Sequence, residues 1–254
     1  MFAKNPRQAL ILLLFLWLAQ PACLCADKKA APRKGDVWIV DYGAGLITAP
    51  SRIYLGTDAI KITTTGGNII VARAPAWNAT MVNENTKTLF EHRAANWQKN
   101  GFFIERTADK DEFDRKKTVS DEKLTFRGLA SRRMVWKTMH SDDFYMSRAK
   151  PQVCMVELIE TKAIPCSKMQ IEVLSAWYGI KNLDGVPLYW VEKLPKRNNI
   201  RLKAMKIARV PAGQVSFKPP SGMRKVSSMF ELNNRQKLTN TLHDIFGLEE
   251  SDKK

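Results

Sequence analysis

From Val37 onward the chain is a succession of short runs in which apolar and polar residues alternate, cut by turn residues roughly every ten positions. A period of two puts successive side chains on opposite faces of an extended strand, so the pattern favours a half-buried β-sheet. In Arg52-Ile53-Tyr54-Leu55 and Ala59-Ile60-Lys61-Ile62-Thr63, the residues Ile53, Leu55, Ile60 and Ile62 fall on inward positions, and Gly56-Thr57-Asp58 forms the turn between them. Thr65-Gly66-Gly67-Asn68 is a hairpin signal leading into Ile69-Ile70-Val71-Ala72, where Ile69 and Val71 are assigned inward. Further strands are expected at 79–82, 86–90, 133–139, 153–160, 168–178, 187–192, 200–210 and 215–217. Two stretches have helical character. One is 90–100; the other is 238–246, which places Leu238, Leu242, Ile245 and Phe246 on one face before Gly247. Strands in direct succession predict a mostly β (α+β) chain built on one antiparallel sheet, a partial barrel with few helices.

The start of the chain reads as an address. Lys4 and Arg7 precede an unbroken apolar run over residues 9–19, followed by Pro21 and Ala22-Cys23-Leu24-Cys25-Ala26. A positive start, an apolar core and a small-residue exit make residues 1–26 a secretory signal peptide. The run falls short of the ~20 residues that cross a bilayer, which disfavours a permanent anchor. Cleavage after Ala26 leaves Leu24 large for its place, and a lipoprotein-type cleavage before Cys23 is disfavoured by Gln20 and Pro21. At ~100–200 residues per domain the chain is long enough for one large domain or two small ones; residues 27–36 read as a polar linker and 37–254 as a single β-rich domain. The expected location is the periplasm or envelope of a Gram-negative-type bacterium. At 44% hydrophobic and 26% charged residues, composition excludes a disordered tail, a collagen-like fibre and a multi-span membrane protein.

Of the four cysteines, Cys23 and Cys25 leave with the signal. Cys154 and Cys166 remain, and in an oxidising compartment they are expected to form one disulfide, stabilising by roughly 3 kcal/mol. Two buried free thiols are the alternative. The spacing is not C-x-x-C, so neither a redox motif nor a zinc knuckle is indicated. The mixed-charge run 105–123 has no glycine among its acids and is no calcium loop; it reads as a solvated loop or polar helix face. No G-x-S-x-G, H-E-x-x-H, Walker or G-x-G-x-x-G motif occurs, and Tyr42-Gly43-Ala44-Gly45 reads as a turn. His92, His140 and His243 are far apart, and Ser141, Asp142 and Asp143 beside His140 cannot aim at one atom from a shared turn. No catalytic residue, metal site or cofactor is assigned, and the expectation is a non-enzyme.

Forty-one basic residues against 25 acidic ones give a formal charge of +16; without the two basic residues of the signal, 39 against 25 leave +14. Residues 193–225 hold ten basic residues and no acid. Along 201–209, Arg201, Lys203 and Arg209 share one side while Leu202 and Ala204 turn inward, an order that Met205 and Lys206 invert. This is either a solvated strand face or a contact for an anionic surface such as phospholipid headgroups or acidic glycan. Export and the lack of an aromatic-interleaved RNA motif speak against nucleic acid. Lys196, Arg197, Arg201 and Lys203 are the candidates for the anionic end. Trp38, Trp77, Trp97, Trp136, Trp177 and Trp190, with the methionines, supply either a bulky core or an adaptable apolar pocket. Ile53, Leu55, Ile60, Ile62, Ile69, Val71, Met81 and Trp136 are the candidates for that inner face. A one-layer sheet with few helices must bury its inner face against something, so a cavity or a partner is expected to fill the gap.

Three stretches carry a family resemblance. Met81-Val82-Asn83-Glu84-Asn85-Thr86-Lys87-Thr88-Leu89-Phe90-Glu91 looks like a hairpin turning through N-x-x-T-K-T. Gly185-Val186-Pro187-Leu188-Tyr189-Trp190-Val191-Glu192 looks like a late strand of the form G-x-P-L-x-W/Y. Val210-Pro211, and then Phe217 through Val226, look like a closing F-x-x-P-x-G-Y/M-x-x-V segment. Their order resembles the lipoprotein-carrier (Lol-type) superfamily of bacterial envelope proteins and its relatives of unassigned function, over roughly 50–232. The resemblance implies a strongly curved antiparallel sheet, an unclosed barrel wrapped over helices around an apolar cavity for acyl chains. The insertion at 105–123 and the Cys154/Cys166 pair depart from that pattern, and the carriers' functional arginine has no matching position. The expected function is non-catalytic binding of an acyl chain or other apolar ligand, of a lipid or a lipoprotein, worth about 0.8 kcal/mol per buried methylene. The alternative is an envelope interaction protein with a packed core and a basic face; a hydrolase whose site carries no motif is a third reading. Asn78-Ala79-Thr80 is a glycosylation sequon, relevant only in a eukaryotic secretory pathway.

Overall fold

The computed structural model describes residues 35–45, 49–102, 118–140, 152–180, 182–229 and 231–232. The signal segment, most of the charged run 105–123, His243 and the helix expected at 238–246 lie outside these residues.

The described chain is mostly β. Its strands are β1 (Asp36–Tyr42), β2 (Ser51–Leu55), β3 (Ala59–Thr64), β4 (Asn68–Arg73), β5 (Ala79–Asn83), β6 (Thr88–His92), β7 (Thr118–Phe126), β8 (Leu129–His140), β9 (Gln152–Thr161), β10 (Val186–Leu194), β11 (Arg197–Pro211) and β12 (Arg224–Lys225). Two α-helices, α1 (Ala94–Asn100) and α2 (Lys168–Tyr178), interrupt them. The strands form one sheet in the order β12-β6-β5-β4-β3-β2-β1-β11-β10-β9-β8-β7. Two meanders, β1–β6 and β7–β11, are thus joined where β11 returns to pair with β1. Every pairing is antiparallel except β12 on β6. The ends of the order are not paired with one another, so the sheet is curved but unclosed.

Local chemistry sets the hairpins. Gly67 takes φ 74°, and its N–H donates to Thr64 O at 3.1 Å, closing the turn between β3 and β4. In the N-x-x-T-K-T hairpin, Asn83 Oδ1 accepts from the N–H groups of Asn85 (3.0 Å) and Thr86 (3.3 Å), while its Nδ2 donates to Leu232 O at 3.3 Å. Gly185 sits where β10 leaves the end of β9; a Cβ there would lie 2.5 Å from Thr161 O, so no larger residue fits.

Several expectations are corrected. Residues 168–178 are helix α2, with a capping box in which Ser167 Oγ accepts from Gln170 N and the Gln170 side chain accepts from Ser167 N. Residues 215–217 follow a 3-10 turn (Ala212–Gln214) and are not a strand. In the stretch 90–100 the helix begins only at Ala94, whose N–H is held by Asn78 Oδ1 at 3.1 Å. The tail of the mixed-charge run is strand β7 rather than a loop or helix face. The inversion at Met205 and Lys206 is a β-bulge: Asp41 faces Lys206 and Tyr42 faces Ala204, leaving Met205 as the extra residue.

Candidate functional site

Strand register converts the alternation into rows of side chains. Ile207, Val40, Ile53, Ile62, Ile70, Met81 and Phe90 stand in line across seven strands, and Trp38, Leu55, Ile60, Ala72 and Ala79 form a parallel row. The second meander adds a row of Leu202, Trp190, Leu158 and Met134, and another of Val156 and Trp136. Buried side chains from nine strands, with Phe90 of β6 and Phe126 of β7 packed against them, form one continuous apolar cluster.

The two helices close over it. Trp97 of α1 is fully buried, stacks on Phe102 with ring centroids 5.5 Å apart, and donates its indole N–H to Trp77 O at 3.0 Å. From α2, Gln170 Nε2 donates to the carbonyls of Gly56 (2.7 Å) and Ala59 (2.9 Å), tying the helix to the turn between β2 and β3. Tyr178, at its other end, lies 3.4 Å from Ser51 Oγ and packs its ring 5.8 Å from that of Tyr42. Tyr42 in turn donates to Pro187 O at 2.7 Å. Burial pushes both phenols well above their ordinary pKa, so they stay neutral donors. The helices meet through Gln98 Nε2 and Glu172 Oε2 at 2.6 Å.

Of the expected inner-face residues, Ile53, Leu55, Ile60, Ile62, Met81 and Trp136 belong to this cluster. Ile69 and Val71 do not. They point to the other face, with Val82, under the half-buried side chains of Phe217 and Met223. The reason is register: Ile62 faces Ile70, so Ile70 and Ala72 take the inner positions and their neighbours are flipped outward.

The four cation candidates do not form one site. Lys196 and Arg197 are exposed at the tip of the β10–β11 hairpin. Lys203 lies opposite Tyr189 on the outer face. Arg201 pairs through Nε with Glu192 Oε1 at 2.7 Å, side chains 13% and 1% exposed, in the region where Glu192 faces the buried Asn199. That arginine holds a buried carboxylate in place, a pair that strands a charge if either partner is removed.

The expected disulfide is not formed: Cys154 and Cys166 are both in the thiol state. Cys154 lies seven residues before the end of β9, about 23 Å of extended chain. A bridge would require the five following residues to run almost straight back. Instead the chain folds at the strand end, where Ala163 N donates to Thr161 Oγ1 at 3.0 Å. Burial pushes the Cys166 thiol up to about 12.

His92 faces Ala79 at the edge of the inner face, against the rings of Phe90 and Phe102. Its Nδ1 is buried without a hydrogen-bond partner, and desolvation lowers its pKa. Among the described residues no three His, Cys, Asp or Glu side chains converge as a metal site. A cleft of about 440 Å³ at the β6–β12 edge is lined by Asn78, Phe90, Arg93 and Ser227 and by the Lys225–Glu91 ion pair, and by none of the inner-face candidates.

No protein-family profile matches the chain, and no curated protein does. Nine solved chains match; one is described as an uncharacterized conserved protein from Thermus thermophilus and has a TM-score of 0.38 at 12% identity, over 76% of this chain and 90% of that one.

Proposed function

We propose that this chain is an exported, non-catalytic protein of the cell envelope that holds an acyl chain, or a ligand of similar apolarity, between the inner face of its sheet and helices α1 and α2. The observation that carries this reading is the inner face itself. Buried apolar side chains of nine strands converge there, and α1 and α2, which lie over them, are 7 and 11 residues long. Both helices pack Trp97, Val173, Leu174 and Tyr178 into the cluster and are tied by hydrogen bonds centred on Gln170, Tyr178 and Trp97, none of them part of the sheet's ladder, so the cover can part from the sheet with the ladder intact. A chain entering there would transfer methylenes from water at about 0.8 kcal/mol each. The leader at residues 1–26 and the ordered likeness to lipoprotein carriers support the same reading.

The test is native mass spectrometry of the protein purified from its own envelope, followed by organic extraction. Lipid at near one per chain is the expected result. A bare protein that also takes up no fatty acid or phospholipid when these are offered would overturn the reading. The complete burial of Trp97 and Phe102 favours a second one, in which the inner face is a packed core and the protein acts through a partner. That bare result, with a partner captured from the same envelope, would favour it.

A further inference from the structure

We infer that the outer face of the sheet across β11, β1, β2 and β3 is a docking surface for an anionic phospholipid membrane. Register puts Lys206 opposite Asp41, yet both oxygens of that carboxylate are taken by Arg52, through Nε and Nη2. Lys206 is therefore a surplus charge. Lys203 stands on the same face opposite Tyr189, and among the described residues neither lysine has an acidic partner. Lys61, also outward on β3, donates to Ser216 O at 3.3 Å and lies 5.8 Å from the Tyr54 ring centre. Four cations thus share a face with one carboxylate.

The bulge supplies the second ingredient. Met205, the residue it inserts between the two lysines, is 51% exposed. A flexible apolar side chain flanked by ammonium groups fits a headgroup layer, where the thioether can sink among glycerol and acyl carbons while the lysines meet phosphates. Duplex nucleic acid would meet the charges but has no use for the methionine.

The surface lies on the side of the sheet away from the inner face, so it is separable from the acyl-binding reading. The test is co-sedimentation of the protein, purified from its own envelope, with vesicles of phosphatidylglycerol and phosphatidylcholine or of phosphatidylcholine alone. Binding is expected to the first and not the second, and to weaken as salt rises from about 0.1 M to about 1 M, where the screening length shrinks from ~10 to ~3 Å. The double variant Lys203→Glu/Lys206→Glu should lose affinity by more than about thirtyfold, the loss expected from removing the two lysines alone. Lys196→Glu, the same charge change at the hairpin tip, should lose far less. Should the double reversal not fold, Lys203→Gln/Lys206→Gln with Met205→Ser serves in its place and should lose about thirtyfold. No binding to the anionic vesicles, equal loss in Lys196→Glu, or tighter binding to duplex DNA than to vesicles at the same salt would each overturn the proposal. Acyl binding that survives in a variant deaf to vesicles would show that the two readings stand or fall separately.

Discussion

At Glu157 one carboxylate on the outer face of β9 lies between two cations, Arg133 Nε at 2.8 Å and Lys193 Nζ at 2.5 Å. Burial raises its pKa, but the hydrogen bonds and charges of Arg133 and Lys193 outweigh burial and leave it below the ordinary carboxylate value of 4.5. A folded-state pKa below the unfolded one means stability that is fully present above about 4.5 and is lost as pH falls through the folded value. Glu157→Gln should therefore destabilise the protein by about 1–2 kcal/mol at neutral pH, with the partly exposed cations limiting the effect. Urea denaturation at pH 7 and near pH 3 checks this. A gap from wild type that persists in acid would mean that shape, not charge, is at work. The same scale shows why the basic segment was only partly legible. Ten cations without an acid are visible in the sequence. Which of them are neutralised is decided by acids on other strands, Glu157 for Lys193, Glu192 for Arg201 and Glu91 for Lys225.

At the scale of the element, α2 and β11 show what period alone can and cannot decide. Met169-Gln170-Ile171-Glu172-Val173 alternates as a strand does, and that pattern favours extended chain. The helix signals lie at its ends. Ser167 and Gln170 make the capping box, Gly179 takes the left-handed C-cap, and Val173, Leu174 and Tyr178 bury one face. Gln170 also anchors the helix to the β2–β3 turn, so Gln170→Leu strands the carbonyls of Gly56 and Ala59 without that donor. The expected outcome is a loss of about 2 kcal/mol, with amide exchange in α2 rising ahead of that in β3. Uniform acceleration across the whole sheet would show that α2 is not a separately fastened cover. In β11 the broken alternation was legible, and its cause is now plain: one inserted residue, Met205, restores register on both sides of it.

For the whole molecule, the unclosed sheet gives its two faces different covers: one carries the large apolar cluster under the helices, the other a smaller apolar patch at Ile69, Val71 and Val82 beside the cations of β11, β2 and β3. The face assignment also bears on the cysteines. Cys154 is fully buried in the inner cluster, and Cys166 packs against that cluster with its thiol pushed up to about 12. Neither should react quickly with iodoacetamide in the native protein, and both should be alkylated in denaturant without reductant, as peptide mapping will show. A protected pair under those conditions would restore the disulfide.

By itself, the sequence determined that this is a chain of short strands and tight hairpins, because a two-residue period and turn residues such as Gly67 and Asn83 act locally. It also determined the excess of positive charge. Tertiary structure decided the rest. A three-residue turn fixed the register that sends Ile70 inward and Ile69 and Val71 outward. The return of β11 to β1 brought two meanders into one sheet, and distant acids chose which cations remain free. These outcomes depend on pairings between residues far apart in the chain. Local periodicity constrains which side chains can share a face, but only long-range pairing decides which strands, and which charges, meet.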